Sequence, residues 1–289
     1  MKHLKNFFEN MDNGPDNIFT GLRALDRLIF GLQRGCLYTI AGRPSMGKTF
    51  LSLNIALNAS SMFGVPTAFF SYEMTYEQII MRLASRESGI ELDRLLQKNL
   101  RDYEREQLVN RTRHLKEVPL LIHSISNMDI NELTSACKEL KNNRSVELFI
   151  IDDIQRVTIN EANRKYAVNR EQEVSNNVRR LKSLSMELDT PILIISQLNR
   201  QVELRGGDKR PQLIDPRDSG AIENDSDVVI FIYRPEYYGL TEDEEGLSTR
   251  GLAELIVAKN RNGVPGSVRV RFAAEYSRFS DLDTEGDSL

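Results

Sequence analysis

Cysteine is scarce in this chain of 289 residues: Cys36 and Cys137 are the only two, far apart and with no paired Cys or His at ligand spacing. That excludes a disulfide framework and a zinc site, and leaves both as expected core residues. Neither sign of charge dominates, since 38 Lys and Arg against 42 Asp and Glu leave a net charge of -4. A protein held on nucleic acid by bulk charge is therefore excluded, although a local basic groove is not. Long apolar runs are also missing. Nothing approaches the roughly 18 residues of a membrane span, and no apolar core with a cleavage site follows Met1, so a cytoplasmic protein without a membrane partner is expected. What is present, 40% hydrophobic and 28% charged residues, is the composition of a soluble globular protein.

Apolar, β-branched runs recur at Leu37 to Ala41, Thr67 to Ser71, Pro119 to His123, Leu148 to Ile151, Pro191 to Ser196, Asp227 to Tyr233, Leu252 to Ala258 and Ser267 to Phe272. Several are apolar throughout, as strands covered on both faces require. Helical patterns separate most of the first six: Lys48 to Met62, Thr75 to Ser88, a third opening at Asp129 and ending near Lys141, and Glu171 to Leu188. Thr75 with Gln78, and Asp129 with Glu132, have capping-box spacing. Val174, Val178, Leu181, Leu184 and Leu188 form one stripe. Such alternation predicts an α/β fold, a mostly parallel sheet with helices on both faces. The last two strands, joined by Asn260 to Gly266 without a helix, predict an antiparallel edge hairpin. Residues 1 to 18 read as a polar arm, 19 to 279 as the folded domain and 280 to 289 as an acidic disordered tail. Asn160 to Arg170, Arg200 to Asp218 and Pro235 to Gly251 read as loops.

Gly42-Arg43-Pro44-Ser45-Met46-Gly47-Lys48-Thr49 fits the phosphate-loop pattern G-x-x-x-x-G-K-[ST] between a strand and a helix. Backbone N–H groups and the helix dipole then converge on phosphate oxygens, Lys48 reaches the β and γ groups, and Thr49 offers its hydroxyl to Mg²⁺. The cofactors implied are ATP and Mg²⁺. A second metal acid belongs at the end of a neighbouring buried strand, and Asp152 stands there. Asp153 is adjacent, but consecutive strand residues face opposite ways, which favours Asp152. Glu73, just past the second strand, can orient water as a base. Gln197, ending the fifth, can sense the γ-phosphate without titrating.

With these residues in place, the chain resembles the C-terminal ATPase domain of DnaB-type replicative helicases, within the RecA-like group of P-loop NTPases. Carrying the resemblance are Thr20-Gly21-Leu22 with Leu25-Asp26, Gly31 to Gly35, Gly42 to Thr49, Ser71-Tyr72-Glu73-Met74, Ile151-Asp152 with Gln155, Ser196 to Arg200, Arg217 to Glu223 and Lys259 to Gly263. They stand in family order over nearly the whole chain.

The resemblance implies an ATP hydrolase coupled to DNA unwinding: a homo-oligomer, a hexameric ring, with ATP between neighbouring subunits. It gives Lys48 and Thr49 to phosphate and Mg²⁺, Asp152 to the metal, Glu73 to the attacking water and Gln197 to the γ-phosphate. Lys259 and Arg261 reach into the neighbour's site. Single-stranded DNA is gripped in the channel through Arg217, Asp218 and Gly220, with Arg200, Arg210 and Arg164 adding basic charge in the same loops. Aromatics there are limited to Tyr166, which implies tracking of the phosphate chain with little base preference. A loader or primase is a further implied partner. The family's helical N-terminal domain has no counterpart here, residues 1 to 17 matching at most a residual linker, and Asp153 replaces the family's usual aromatic. The alternative is a non-processive RecA-like ATPase acting as a DNA-binding switch or loader.

Overall fold

The computed structural model describes residues 17–159, 170–199, 202, 209–215, 219–243 and 245–282. In chain order these form α1 (Arg23–Ile29), β1 (Leu37–Gly42), α2 (Lys48–Met62), β2 (Thr67–Ser71), α3 (Tyr76–Ser88), α4 (Leu92–Leu96), α5 (Asp102–Thr112), β3 (Leu120–Ser124), α6 (Ile130–Arg144), β4 (Leu148–Asp152), α7 (Arg170–Glu187), β5 (Ile192–Gln197), α8 (Ser219–Asp225), β6 (Val228–Tyr233), β7 (Leu252–Asn260), β8 (Gly266–Ala273) and β9 (Arg278–Asp281). The strands make one sheet in the order β3-β2-β4-β5-β1-β6-β7-β8-β9. It is parallel from β3 to β6 and antiparallel from β6 onward.

Alternation along the central strands divides the core in two. Tyr38, Ile40, Leu148, Ile150, Leu193 and Ile195 face one layer, with α1, α2 and α3. Leu37, Ala41, Phe149, Ile151, Ile192 and Ile194 face the other, with α6, α7 and α8. Each such Leu, Ile or Phe, fully buried, stabilises the fold by roughly 1.5–3 kcal/mol. Helix α2 is buried over Leu51 to Ser60, so its polar residues need internal partners. Asn58 donates to the Thr20 carbonyl at 2.9 Å, and Asn54 donates to the Ser277 carbonyl at 2.8 Å and accepts from the Phe279 amide at 3.1 Å. Both expected capping boxes are present, at Thr75 with Gln78 and at Asp129 with Glu132.

Four expectations are corrected. Ile18 is buried and bridges Leu32, so the domain begins before residue 19. Ser280 and Asp281 belong to β9, so the tail expected from Ser280 does not begin there; the expected antiparallel β7–β8 hairpin is present and β9 extends it by one strand. Helices α4 and α5 lie in a stretch where no element was expected, because only Leu92, Leu95 and Glu104 are buried and no stripe develops. Cys36 is only half-buried, whereas Cys137 is buried and its thiol pushed up to about 12 by that burial.

Candidate functional site: a phosphate loop at the strand ends

The carboxyl ends of β1, β5, β4 and β2 stand side by side, where an open parallel sheet binds its ligands. β1 ends at Gly42 and α2 starts at Lys48, so residues 43 to 47 form the loop between them. Two of its residues adopt left-handed backbone, Ser45 at φ 65° and Gly47 at φ 96°. Gly47 is required twice over. Its φ disfavours any side chain, and a Cβ there would lie 3.0 Å from Phe272 and 3.1 Å from Phe279, which support the loop from β8 and β9. Met46 is buried, and Pro44 and Ser45 lie exposed at the tip.

Lys48 donates from Nζ to the Arg43 carbonyl at 3.1 Å. Burial pushes its pKa down, opposed by the nearby Asp153, Asp152 and Glu73 carboxylates. One amine thus faces three acids. Asp152 is buried and raised to about 7, chiefly by that burial, while a hydrogen bond with the Thr49 side chain holds it down. Its Oδ2 is buried without a hydrogen-bond partner. An orphaned carboxylate oxygen beside a hydroxyl suits Mg²⁺, which takes one or two protein ligands and completes its shell with water and phosphate. Among the described residues there is no cluster of three or more His, Cys, Asp or Glu to cage a metal. Thr49 and Asp152 would therefore hold Mg²⁺ together with the nucleotide. When bound, the ion neutralises charge on the phosphate oxygens.

Burial of Asp152 has a stability consequence. A carboxyl raised from 3.8 to about 7 binds more protons folded than unfolded, so stability falls as pH rises between those values. Asp152→Asn removes that penalty. With chelator present and nucleotide absent, it should raise stability at pH 7.5 by about 1 kcal/mol and lose most of this advantage by pH 5, while weakening Mg²⁺-dependent nucleotide binding. Thermal melts at the two pH values check it.

Asp153, expected to face away, lies close enough to influence Lys48. Alternation does not reach it, because β4 ends at Asp152 and Asp153 caps a short helical turn through the Gln155 amide at 3.0 Å. Its second oxygen accepts from Gln197 Nε2 at 2.9 Å. The Gln197 amide donates to Gln155 Oε1 at 3.2 Å, and Gln155 Nε2 donates to Ser196 Oγ at 2.9 Å. Gln197 is thus wired to Asp153, one of the acids beside Lys48. Glu73 is half-exposed two residues past β2 and pairs with Arg156 at 3.2 Å. Arg234, at the end of β6, was missed in the sequence: it donates to the Ser45 carbonyl at 3.1 Å and lies 4.1 Å over the Phe272 ring. Its strand-end position, shared with Gln197, was the available signal.

Lys259 and Arg261 sit elsewhere. Both donate to the Asn224 carbonyl at the end of α8, and Arg261 also pairs with Asp227 at 3.3 Å. The Asp227 amide donates to the Leu37 carbonyl, and Leu37 opens β1 whereas Gly42 closes it. The cations and the phosphate loop therefore occupy opposite ends of one strand, about 17 Å apart at 3.3 Å per residue. Arg210 pairs with Glu254 and lies 5.5 Å over the Tyr233 ring, beside the phosphate-loop end of β6. Gly220 is exposed in α8 with open space where a Cβ would be. Arg164, Arg200, Arg217 and Asp218 lie outside the described residues.

A family model, the DnaB-like helicase C terminal domain, matches residues 17–281. The chain belongs to this family. DnaB-like relatives include the replicative DNA helicase DnaB of Geobacillus stearothermophilus, 36% identical over 278 residues, which are 96% of this chain and 59% of that protein. The replicative DNA helicase DnaC of Bacillus subtilis (strain 168) is 37% identical over 93% of this chain and 57% of its own length. The chain thus spans less than three-fifths of either relative. Among solved structures, one described as an ATPase domain superposes with a TM-score of 0.86 at 30% identity, covering 98% of both chains. A DnaB-like replicative helicase, in a structure that also concerns its interactions with primase, gives 0.84 at 29% identity over 98% of this chain and 66% of that one. The RecA-like fold is shared with these DnaB-like ATPase domains. No helix among the described residues is long and apolar enough to cross a membrane.

Proposed function

We propose that this chain is the motor portion of a replicative DNA helicase, hydrolysing ATP at seams between copies in a hexameric ring and drawing single-stranded DNA through the channel. One observation carries the reading: the phosphate loop and the Lys259–Arg261 pair lie at opposite ends of β1, so neither cation can complete the site of its own chain. Head-to-tail contacts bring one copy's cations to the next copy's phosphates, and a closed ring satisfies every such contact.

In this site Lys48 and the loop amides bind the β and γ phosphates, and Thr49 with Asp152 hold Mg²⁺. Glu73 orients the attacking water and accepts its proton as the new P–O bond forms and the bond to the β-phosphate oxygen breaks. Gln197 senses the γ-phosphate. Arg261, assisted by Lys259, neutralises charge on the transferring group from the neighbouring copy. The DNA grip falls to Arg217, Asp218 and Gly220, together with Arg164, Arg200 and Arg210. A loader or primase acts on the ring from outside, in the cytoplasm where the DNA is copied.

Single-stranded DNA should stimulate hydrolysis several-fold at low salt. The logarithm of the stimulating affinity should fall linearly with log salt, with a slope of about -0.7 per phosphate contact. Arg217→Ala should weaken it across all sequences alike and reduce the slope by about one contact. Hydrolysis indifferent to DNA at low salt would exclude the motor and leave a nucleotide switch.

A further inference from the structure

The phosphate loop touches more than phosphate. Arg43 is a buried cation in the loop's first variable position, 7% exposed. Its side chain donates from Nη1 to the Leu198 carbonyl at 2.9 Å, and the Leu198 amide donates to the Gly42 carbonyl at 3.3 Å. Both backbone polar groups of Leu198 are therefore held by Gly42 and Arg43. One residue further on, the Asn199 amide donates to the Asp215 carbonyl at 2.7 Å. That bond draws together the two ends of the segment between residues 199 and 215. The Arg43 carbonyl, at the other end of the same residue, accepts Lys48 Nζ at 3.1 Å and the Met46 amide at 3.3 Å.

We infer that Arg43 is a positioning residue that couples phosphate occupancy at Lys48 to the neck formed by Leu198, Asn199 and Asp215, and through it to the affinity for single-stranded DNA. The inference rests on the motor reading above. When Lys48 turns to phosphate it gives up the Arg43 carbonyl, which is then held by the Met46 amide alone, and the peptide unit is less constrained. Its guanidinium is rigid and forked, so a shift of the loop backbone is passed to Leu198 rather than absorbed in a flexible contact. This route is separate from Gln197, whose side chain bonds Asp153.

The coupling is reciprocal and can be measured as a ratio. With the full chain, the dissociation constant of a fluorescent thymidine oligonucleotide is determined with and without a saturating non-hydrolysable ATP analogue, the saturating concentration being set by each variant's own titration. In the wild type the two constants should differ by about 5-fold or more. Arg43→Gln and Arg43→Met should bring the ratio to within about twofold of one, and Arg43→Lys, which retains a donor, should fall between. A wild-type ratio in the Gln and Met variants overturns the inference while leaving the motor reading intact. Should those two fail to bind the analogue at all, Arg43→Lys decides, and an undiminished ratio there overturns it. A ratio of one in the wild type overturns both the inference and the motor reading.

Discussion

Chains carrying Lys48→Ala and chains carrying Arg261→Ala, each nearly inactive alone, should recover ATP hydrolysis when mixed. Alone, the first lacks the amine that reaches the phosphates and the second lacks the cation supplied to its neighbour, a loss of about 10³-fold or more. In a mixed head-to-tail ring, a seam works when an Arg261→Ala copy offers its intact Lys48 to a Lys48→Ala copy with its intact Arg261. Random assortment at equal amounts makes about one quarter of the seams so. The expectation follows from the length of β1, which separates the two groups within one chain. Steady-state hydrolysis in rings proven mixed by differential labelling measures it, and no recovery would return the cations to a purely local role on α8.

Glu73→Gln should reduce single-turnover hydrolysis by about 10²- to 10⁴-fold, the range for losing a positioned base. Nucleotide should still bind, because the substitution removes one of three acids facing Lys48 and leaves Asp152 with Thr49 in place. Comparing analogue titrations with hydrolysis in the same preparation separates binding from chemistry. Near-normal turnover would shift the role of base to Asp153, the acid near Lys48 that is not assigned to Mg²⁺.

Much of this arrangement is legible in the sequence because buried parallel strands leave long apolar runs, and Leu148 to Ile151 or Ile192 to Ile195 cannot be anything else once helices alternate with them. The phosphate loop is equally plain, since its chemistry constrains consecutive residues. What escapes is held by single side chains from distant elements. β9 is four residues with one buried ring, Phe279, and is fixed by Asn54 of α2. Asp153 was assigned to the wrong face because nothing in the sequence says where β4 stops. Lys259 and Arg261 do reach the same carbonyl, as a spacing of two implies, although β7 ends between them at Asn260. Arg43 reads as one more phosphate-loop residue in its motif, and its bond to Leu198 is visible only in the structure.

The rings of Phe272 and Phe279 fill the space beneath Gly47 that any larger residue would need. A nucleotide site whose signature spans residues 42 to 49 is thus underpinned by rings that the ribosome adds much later. While the ribosome is still making the chain, the motif is present but its floor is not. Competence to hold ATP should arrive only after Phe279 has cleared the exit tunnel.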